Sequence, residues 1–252
     1  MRLSEIEEIG DSQRQTLEKQ DPGMKRLLLP QLRDIQSHAL VVSGIRRCGK
    51  STLLRQFVQK LKKPYFYLNF DDIRLADFTH TDFRLLDKAA ADSNAQLLFF
   101  DEVQSAEHWE LYVRQKLDEG IQVVITGSNA SLLSRELGTR LTGRHLTKEL
   151  FPFSYKEFLK FFGHGANSET LSGYLNKGGF PEYLKTGNDD ILLQLQSDIL
   201  HRDIAVRYRI RDASSLRRLF VYMVSNPAQL FSPSKLIGIA GVKSPTDRKS
   251  VV

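Results

Sequence analysis

The eight residues 44–51 read GIRRCGKS and fit the phosphate-loop pattern G-x-x-x-x-G-K-[ST]. The preceding run, HALVVSG, is short and apolar, which predicts a buried strand. The following run, KSTLLRQFVQKLKK, has apolar residues at helical spacing. A glycine loop between a strand and a helix is the context in which this pattern binds phosphate. The segment therefore predicts a phosphate-binding loop in an α/β fold.

The residue types in the loop suit this chemistry. Gly44 and Gly49 let the backbone turn so that successive N–H groups point at one anion, and the helix that begins near Lys50 adds its positive end. Lys50 is expected to reach the β- and γ-phosphates, and Ser51 to offer its hydroxyl to Mg²⁺. The alternative, a chance glycine turn with an exposed lysine, does not account for the flanking strand and helix. The predicted nucleotide-binding residues are Gly44, Ile45, Arg46, Arg47, Cys48, Gly49, Lys50, Ser51 and Thr52.

Three variable positions of the loop are less clear. Arg46 and Arg47 either add charge near the phosphates or pack along the loop. Cys48 is either a redox-active thiol beside a positive site or a small filler, and filler is favoured. As the one cysteine in the chain, it excludes an internal disulfide framework and fits a reducing compartment.

Two carboxylates follow the buried run LLFF. Asp101 at the end of such a strand can hold Mg²⁺, usually through water. Glu102 beside it can polarise an attacking water, and this second acid separates hydrolysis from nucleotide binding alone. The alternatives are a helix cap for Asp101 and a surface acid for Glu102.

A third apolar run, VVITGSN, ends in Ser128 and Asn129. Either side chain could position the water or sense the γ-phosphate, although both residue types also favour turns. Downstream, Arg140 and Arg144 are candidates, with Arg135, for an arginine that enters a neighbouring chain's site and stabilises developing charge. A surface or salt-bridged arginine is the alternative.

Strands alternate with helices between residues 37 and about 150, which predicts a parallel sheet with helices on both faces. Ligands bind at the carboxyl ends of such strands, and the candidate residues of the loop, the acidic pair and the third run fall there. Residues 3–36 read as helical with a break at Pro30. After about residue 151 the sequence pattern predicts helices and no further strands, so a domain boundary is expected within 151–165.

Length and charge bound the remaining possibilities. The 252 residues allow one large domain and a smaller unit. The apolar runs are too short to cross a bilayer and the N-terminus lacks a secretory signal, so a cytoplasmic protein without membrane contact is expected. The net charge is +6, and residues 151–252 hold 14 Lys/Arg against 9 Asp/Glu. This basic part either contacts nucleic acid or is a solvated face.

The chain resembles AAA+ superfamily ATPases of a bacterial and archaeal branch in which a domain of unknown function follows the ATPase domain. The strings that carry the resemblance are GIRRCGKSTLL, YLNFDD, FFDEVQ, ITGSNASLLSRELGTRLTGR, LFPFSYKEF, GGFPEYL and ILHRDIAVRY. They span residues 40–210, and the run 125–158 is the most family-specific.

The resemblance implies a P-loop NTPase fold with a five-stranded parallel sheet in the order 5-1-4-3-2. It implies ATP, Mg²⁺ and hydrolysis, with the roles given above to Lys50, Ser51, Asp101, Glu102 and the end of the third run. Members continue beyond this length, whereas residues 227–252 start like a winged helix and stop. The expected organisation is N-terminal helices in 1–36, the ATPase domain in 37–160, a helical lid-like region in 161–226 and a truncated winged-helix start in 227–252.

The leading interpretation is an ATPase whose turnover drives a change of shape or assembly, with a homo-oligomer as one form of that assembly. A GTPase lacks support because the nearest string to N-K-x-D, NKGG at Asn176, has no acid. A small-molecule kinase would need an acceptor site, and the acidic pair favours water. A nucleotide-dependent DNA-binding or regulatory switch with little turnover is the alternative kept.

Overall fold

A five-stranded parallel sheet forms the core of the first part of the chain. The computed structural model describes residues 1–128, 141, 143–206, 208, 210 and 212–241. The strand order is β2-β3-β4-β1-β5, and every pairing is parallel. The predicted order 5-1-4-3-2 is the same order read from the other edge and is confirmed. The strands are β1 (Ala39–Ser43), β2 (Tyr65–Asn69), β3 (Leu97–Asp101), β4 (Gln122–Gly127) and β5 (His145–Glu149).

The burial pattern explains why these short runs form strands. Every residue of β1, β3 and β4 is buried, as expected for central strands covered on both faces. Side chains alternate between the faces: Val41 packs in one apolar cluster, and its neighbours Leu40 and Val42 pack in the other. The edge strand β5 is largely half-buried or exposed.

Helices alternate with the strands up to β5, and the elements described after β5 are helices, as predicted. The loop of residues 44–49 leads directly from β1 into α2, where the sequence places the helix start. The helices are α1 (Leu3–Lys19), α2 (Lys50–Leu61), α3 (Phe83–Asp92), α4 (Trp109–Asp118), α5 (Tyr155–Phe162), α6 (Ser168–Lys177), α7 (Pro181–Thr186), α8 (Asp190–Asp198), a π-helical stretch (Ile199–Val206), α9 (Ala213–Ser225) and α10 (Pro233–Ala240). The short helix predicted within SLLSRELG lies outside the described residues.

The expectation of helix throughout residues 3–36 is wrong for its second half. Beyond α1 that segment holds only a 3₁₀ turn, Leu29–Gln31. Two side chains of α2 explain the difference, since Arg55 donates to the carbonyls of Gln20 and Asp21 at 3.0 and 2.6 Å, and Gln56 donates to Pro22 at 2.6 Å. Carbonyls held in this way are not available to a helical ladder.

The outer edge of β2 is covered by α1. The amide of Gln13 accepts from the N–H of Asn69 at 2.7 Å and donates to the carbonyl of Asn69 at 3.1 Å. One side chain therefore satisfies both backbone groups of Asn69 at the edge of the sheet.

By its internal contacts the chain divides into two compact units, Met1–Leu184 and Lys185–Val252. The first unit includes α5 and α6 together with the sheet. The boundary between the units therefore follows Leu184, later than the boundary expected from the sequence within 151–165. The segment bounds given above remain predictions. Within the described ranges, none of the helices combines the length and the apolar character needed to span a membrane.

Candidate functional site

The loop between β1 and α2 requires glycine at its first position. Gly44 has φ +149°, and a Cβ there would lie 2.2 Å from the carbonyl oxygen of Leu150. Gly49, the last residue before α2, has φ +98°. The segment after β5 therefore lies directly against the loop, and Leu150 donates its N–H to the carbonyl of Ser43 at 2.8 Å.

Lys50 lies at the first position of α2, and its side chain is only 4% exposed. Nζ lies 3.4 Å from Oε1 of Glu102 and 3.4 Å from the carbonyl of Ile45. The lysine predicted to bind phosphate and the predicted general base are thus brought together by the fold.

Asp101 ends β3 in a buried polar environment. Its carboxylate accepts from Tyr67 Oη at 3.1 Å, from the Thr126 hydroxyl and from the Ser51 hydroxyl. Burial raises the pKa of Asp101, and this effect exceeds the lowering by the hydrogen bonds from Ser51 and Thr126. The predicted pair of Mg²⁺ residues, Ser51 and Asp101, is therefore in direct contact.

Glu102 has left-handed backbone geometry, with φ +48°, which is strained for a residue other than glycine. Its N–H donates to Thr126 Oγ1 at 3.0 Å, and its Oε2 accepts from Gln104 Nε2 at 2.6 Å and from the N–H of Ser128 at 3.2 Å. Burial alone would raise the pKa of Glu102, but Lys50, the bond from Gln104 and other partners outweigh it, so the pKa is lowered. Glu102 is therefore a partly buried carboxylate that faces the loop.

The two loop arginines face acidic residues of other segments. Arg46 Nη1 lies 3.5 Å from Oδ2 of Asp71, which follows β2, and Arg47 Nη1 lies 3.1 Å from Oε2 of Glu182 in α7. The third variable position, Cys48, is buried and donates its Sγ–H to the carbonyl of Leu150 at 3.3 Å. Burial raises the pKa of this thiol, which supports the favoured interpretation of a small filler.

A residue from before β1 holds the loop from behind. Arg26 donates from Nη1 to the carbonyl of Cys48 at 2.8 Å and from Nη2 to the carbonyl of Phe151 at 2.7 Å. It also forms a buried ion pair with Glu157 of α5, with Nε 2.9 Å from Oε1. Burial alone would raise the pKa of Glu157, but the bonds from Arg26 and from the N–H groups of Ser154 and Leu27 lower it to about 2.

Residues 36–159, which contain the loop and the acidic pair but not Arg26 or Glu182, match the family model of the AAA domain. The chain belongs to the AAA+ superfamily. Residues 168–251 match a second model, a domain of unknown function (DUF8612), in agreement with the order of domains that the resemblance implies.

Similar proteins are known from an archaeon and a bacterium. The chain is 34% identical to the uncharacterized protein MJ1544 of Methanocaldococcus jannaschii over 79% of its own length and 49% of the relative's. It is 33% identical to an uncharacterized protein of Haemophilus influenzae over 78% and 53%. The chain thus spans about half the length of these curated relatives.

Two solved structures show a distant likeness. AMPPCP-bound DnaA from Aquifex aeolicus has 14% identity and a TM-score of 0.43, with 92% of this chain and 84% of that chain covered. A DNA replication initiation factor has 16% identity and a TM-score of 0.38, with 97% and 87% covered.

Of the predicted arginines, the structure describes Arg144, which does not lie at this site within the chain. Arg144 directly precedes β5, at the amino edge of the sheet, whereas the loop lies at the carboxyl edge. Its guanidinium pairs with Asp118 at the end of α4. Arg140, Arg135 and the strand-end candidate Asn129 lie outside the described residues, while Ser128 donates its N–H to Oε2 of Glu102.

The sequence analysis did not identify several residues that shape the site. Thr126 and Tyr67 hold the acidic pair from β4 and β2, and Gln104 contacts Glu102 from the turn after β3. Thr126 could have been found, because parallel pairing of β3 with β4 places the ends of both strands side by side. Arg26 carries no local signal, since its partner Glu157 lies 131 residues away.

Proposed function

We propose that this AAA domain binds ATP together with Mg²⁺ and hydrolyses it to ADP and phosphate, and that turnover drives a change of shape or assembly. The observation that carries the proposal is the convergence of Lys50, Asp101 and Glu102. One cation and two carboxylates lie around a loop whose glycine geometry suits a phosphate chain.

The oxygen atoms near the loop suit Mg²⁺. This ion is usually held by one or two carboxylates, several waters and substrate phosphates. Ser51 and Asp101 would supply a hydroxyl and a carboxylate. The bound ion supplies charge neutralisation on the β- and γ-phosphates. In the described ranges, three or more His, Cys, Asp or Glu side chains do not gather into a metal-binding group, which fits a cation held largely by substrate and water.

The reaction uses the chain's own groups in defined roles. Lys50 leaves Glu102 and binds the β- and γ-phosphates. A water held by Glu102 attacks the γ-phosphorus, and the bond from that phosphorus to the bridging oxygen breaks, with the electron pair passing to the β-phosphate of ADP. Glu102 accepts the proton of the attacking water and later releases it to solvent or phosphate.

Assembly enters the proposal through Arg144. The sheet separates this arginine from the loop of its own chain, so a role for it at a phosphate requires the nucleotide of a neighbouring chain. An arginine delivered in this way stabilises the charge that develops during phosphoryl transfer. We therefore include a homo-oligomer in the proposal. Nucleic-acid contact through the basic C-terminal part remains a prediction from the sequence.

The proposal is tested by ATP turnover as a function of Mg²⁺ concentration, in wild type and in Asp101→Asn. Wild type is expected to release phosphate only with Mg²⁺, and the variant to need a higher Mg²⁺ concentration for half-maximal rate. Asp92→Asn is a matched control, because Asp92 lies exposed at the end of α3. Nucleotide binding without phosphate release under all conditions would favour a switch over an ATPase.

A further inference from the structure

Gln104 bridges the predicted general base and the end of β4. It lies in the 3₁₀ turn Val103–Ser105, directly after the acidic pair. Its Nε2 donates to Oε2 of Glu102 at 2.6 Å and to Oγ of Ser128 at 3.4 Å. A primary amide has two N–H donors, so both are used. The reverse orientation would turn the amide oxygen toward the carboxylate, which is repulsive.

The two carboxylate oxygens of Glu102 are therefore not equivalent. Oε2 accepts from Gln104 and from the N–H of Ser128 at 3.2 Å. Oε1 lies 3.4 Å from Nζ of Lys50, with which it forms an ion pair. A lysine that turns to bind phosphate uncovers Oε1 and leaves Oε2 where it is.

We propose that Gln104 is a positioning residue that fixes Oε2 of Glu102, so that Oε1 becomes the base oxygen when Lys50 moves to the nucleotide. The proposal rests on the ATPase function proposed above. Oε1 takes one proton from the attacking water, whose oxygen bonds to the γ-phosphorus while the bond to the bridging oxygen breaks.

Packing alone does not explain an amide at this position. The Oε1 atom of Gln104 is buried and has no hydrogen-bond partner among the described residues. A buried acceptor without a donor is unfavourable, and a methionine of similar length would avoid that cost. The amide is explained by the two hydrogen bonds that it donates, to Glu102 and to Ser128, in the turn after β3.

The test is a double-mutant cycle in which Gln104→Met is made in wild type and in Glu102→Gln. Single-turnover hydrolysis and ATP affinity are measured for each protein. In wild type, the hydrolysis rate is expected to fall about 10- to 100-fold, within the scale of general-base effects, while ATP affinity stays the same. In the Glu102→Gln background the same change should alter the rate less than about threefold, because the base it positions is gone.

Gln115→Met is the matched control, since Gln115 lies exposed on α4 and binds Glu119. This variant should hydrolyse ATP at the wild-type rate. An equal fold-loss from Gln104→Met in both backgrounds, or a parallel loss of ATP affinity, would overturn the positioning role and leave the ATPase proposal intact. Absence of hydrolysis in wild type would overturn the proposed function and this inference with it.

Discussion

Arg26 donates a 2.8 Å hydrogen bond to the carbonyl of Cys48, so a side chain from before the first strand holds the loop of residues 44–49 in place. In a loop whose N–H groups turn toward an anion, carbonyl groups turn away and need donors elsewhere. Arg26 supplies one such donor, and its buried pairing with Glu157 fixes the guanidinium in place. The loop and the segment after β5 are therefore held by the same side chain.

Two variants of Arg26 should distinguish its effect on ATP affinity, through the geometry of the loop, from its effect on the free energy of unfolding. Arg26→Met leaves the carboxylate of Glu157 buried without its partner, so unfolding free energy should fall by about 3 kcal/mol or more. In the double variant Arg26→Met/Glu157→Met the buried charges are gone and most of that stability should return. ATP affinity should remain about tenfold below wild type in both variants, since the loop carbonyl has lost its donor.

Urea unfolding and ATP titration of the three proteins provide the measurements. Arg14→Met is the control, because the side chain of Arg14 on α1 is partly exposed and pairs with Asp11, far in sequence from the loop. Wild-type ATP affinity in the double variant would show that Arg26 contributes to stability and has no part in shaping the loop.

The same ion pair predicts a dependence of stability on pH. The pKa of Glu157 is lowered from 4.5 to about 2 in the folded chain, so its stabilising contribution is present above pH 4.5 and is lost as pH falls toward 2. The stability advantage of wild type over Glu157→Gln should therefore be constant near neutral pH and shrink below about pH 4.5. Urea unfolding of both proteins between pH 7 and 3 measures it, and an advantage that grows on acidification would contradict the assignment.

Lys50→Ala should abolish most ATP binding while the domain stays folded. Lys50 is the main side-chain charge expected on the phosphates, and charged hydrogen bonds of this kind correspond to roughly 10- to 100-fold in affinity. Its loss leaves Glu102 with its bonds from Gln104 and Ser128. Titration with a fluorescent ATP analogue, with circular dichroism as a check of folding, measures the effect. Lys60→Ala, at the far end of α2, is the control, and equal affinity in Lys50→Ala and wild type would refute the role.

The parts of this fold that follow from short-range patterns could be predicted, and those that depend on long-range pairing could not. The loop, the acidic pair and each single strand are encoded within about ten residues. Gln104 also lies near Glu102 in sequence, but its role appears only when β4 brings Ser128 beside it. Arg26 and Glu157 lie 131 residues apart in sequence, and only the fold buries them together.

The extended segment after α1 illustrates the same limit. MKRLLLPQLRDIQ has helical composition, yet residues 20–28 do not form a helix. Side chains of α2 bind the carbonyls at the start of this segment, and Glu157 accepts the N–H of Leu27 at 2.9 Å. Tertiary hydrogen bonds have replaced the local preference.

Arg144 should act in a neighbouring chain. If it does, hydrolysis per chain should rise with protein concentration, and Arg144→Ala should lower the rate by on the order of 10³-fold. Mixing Arg144→Ala with Lys50→Ala should restore some activity, because each chain supplies what the other lacks. Arg14→Ala is the control. A flat specific activity with no rescue in the mixture would leave Arg144 a structural residue paired with Asp118.

The comparison of Glu102→Gln with wild type tests the account most directly. Phosphate release and ATP affinity are measured for both proteins at saturating Mg²⁺. Glutamine keeps the size of the side chain and one acceptor but cannot take a proton, so ATP affinity should be retained while hydrolysis falls by roughly a hundredfold or more. Hydrolysis at the wild-type rate would show that Glu102 is not the general base and would contradict the proposed ATPase mechanism.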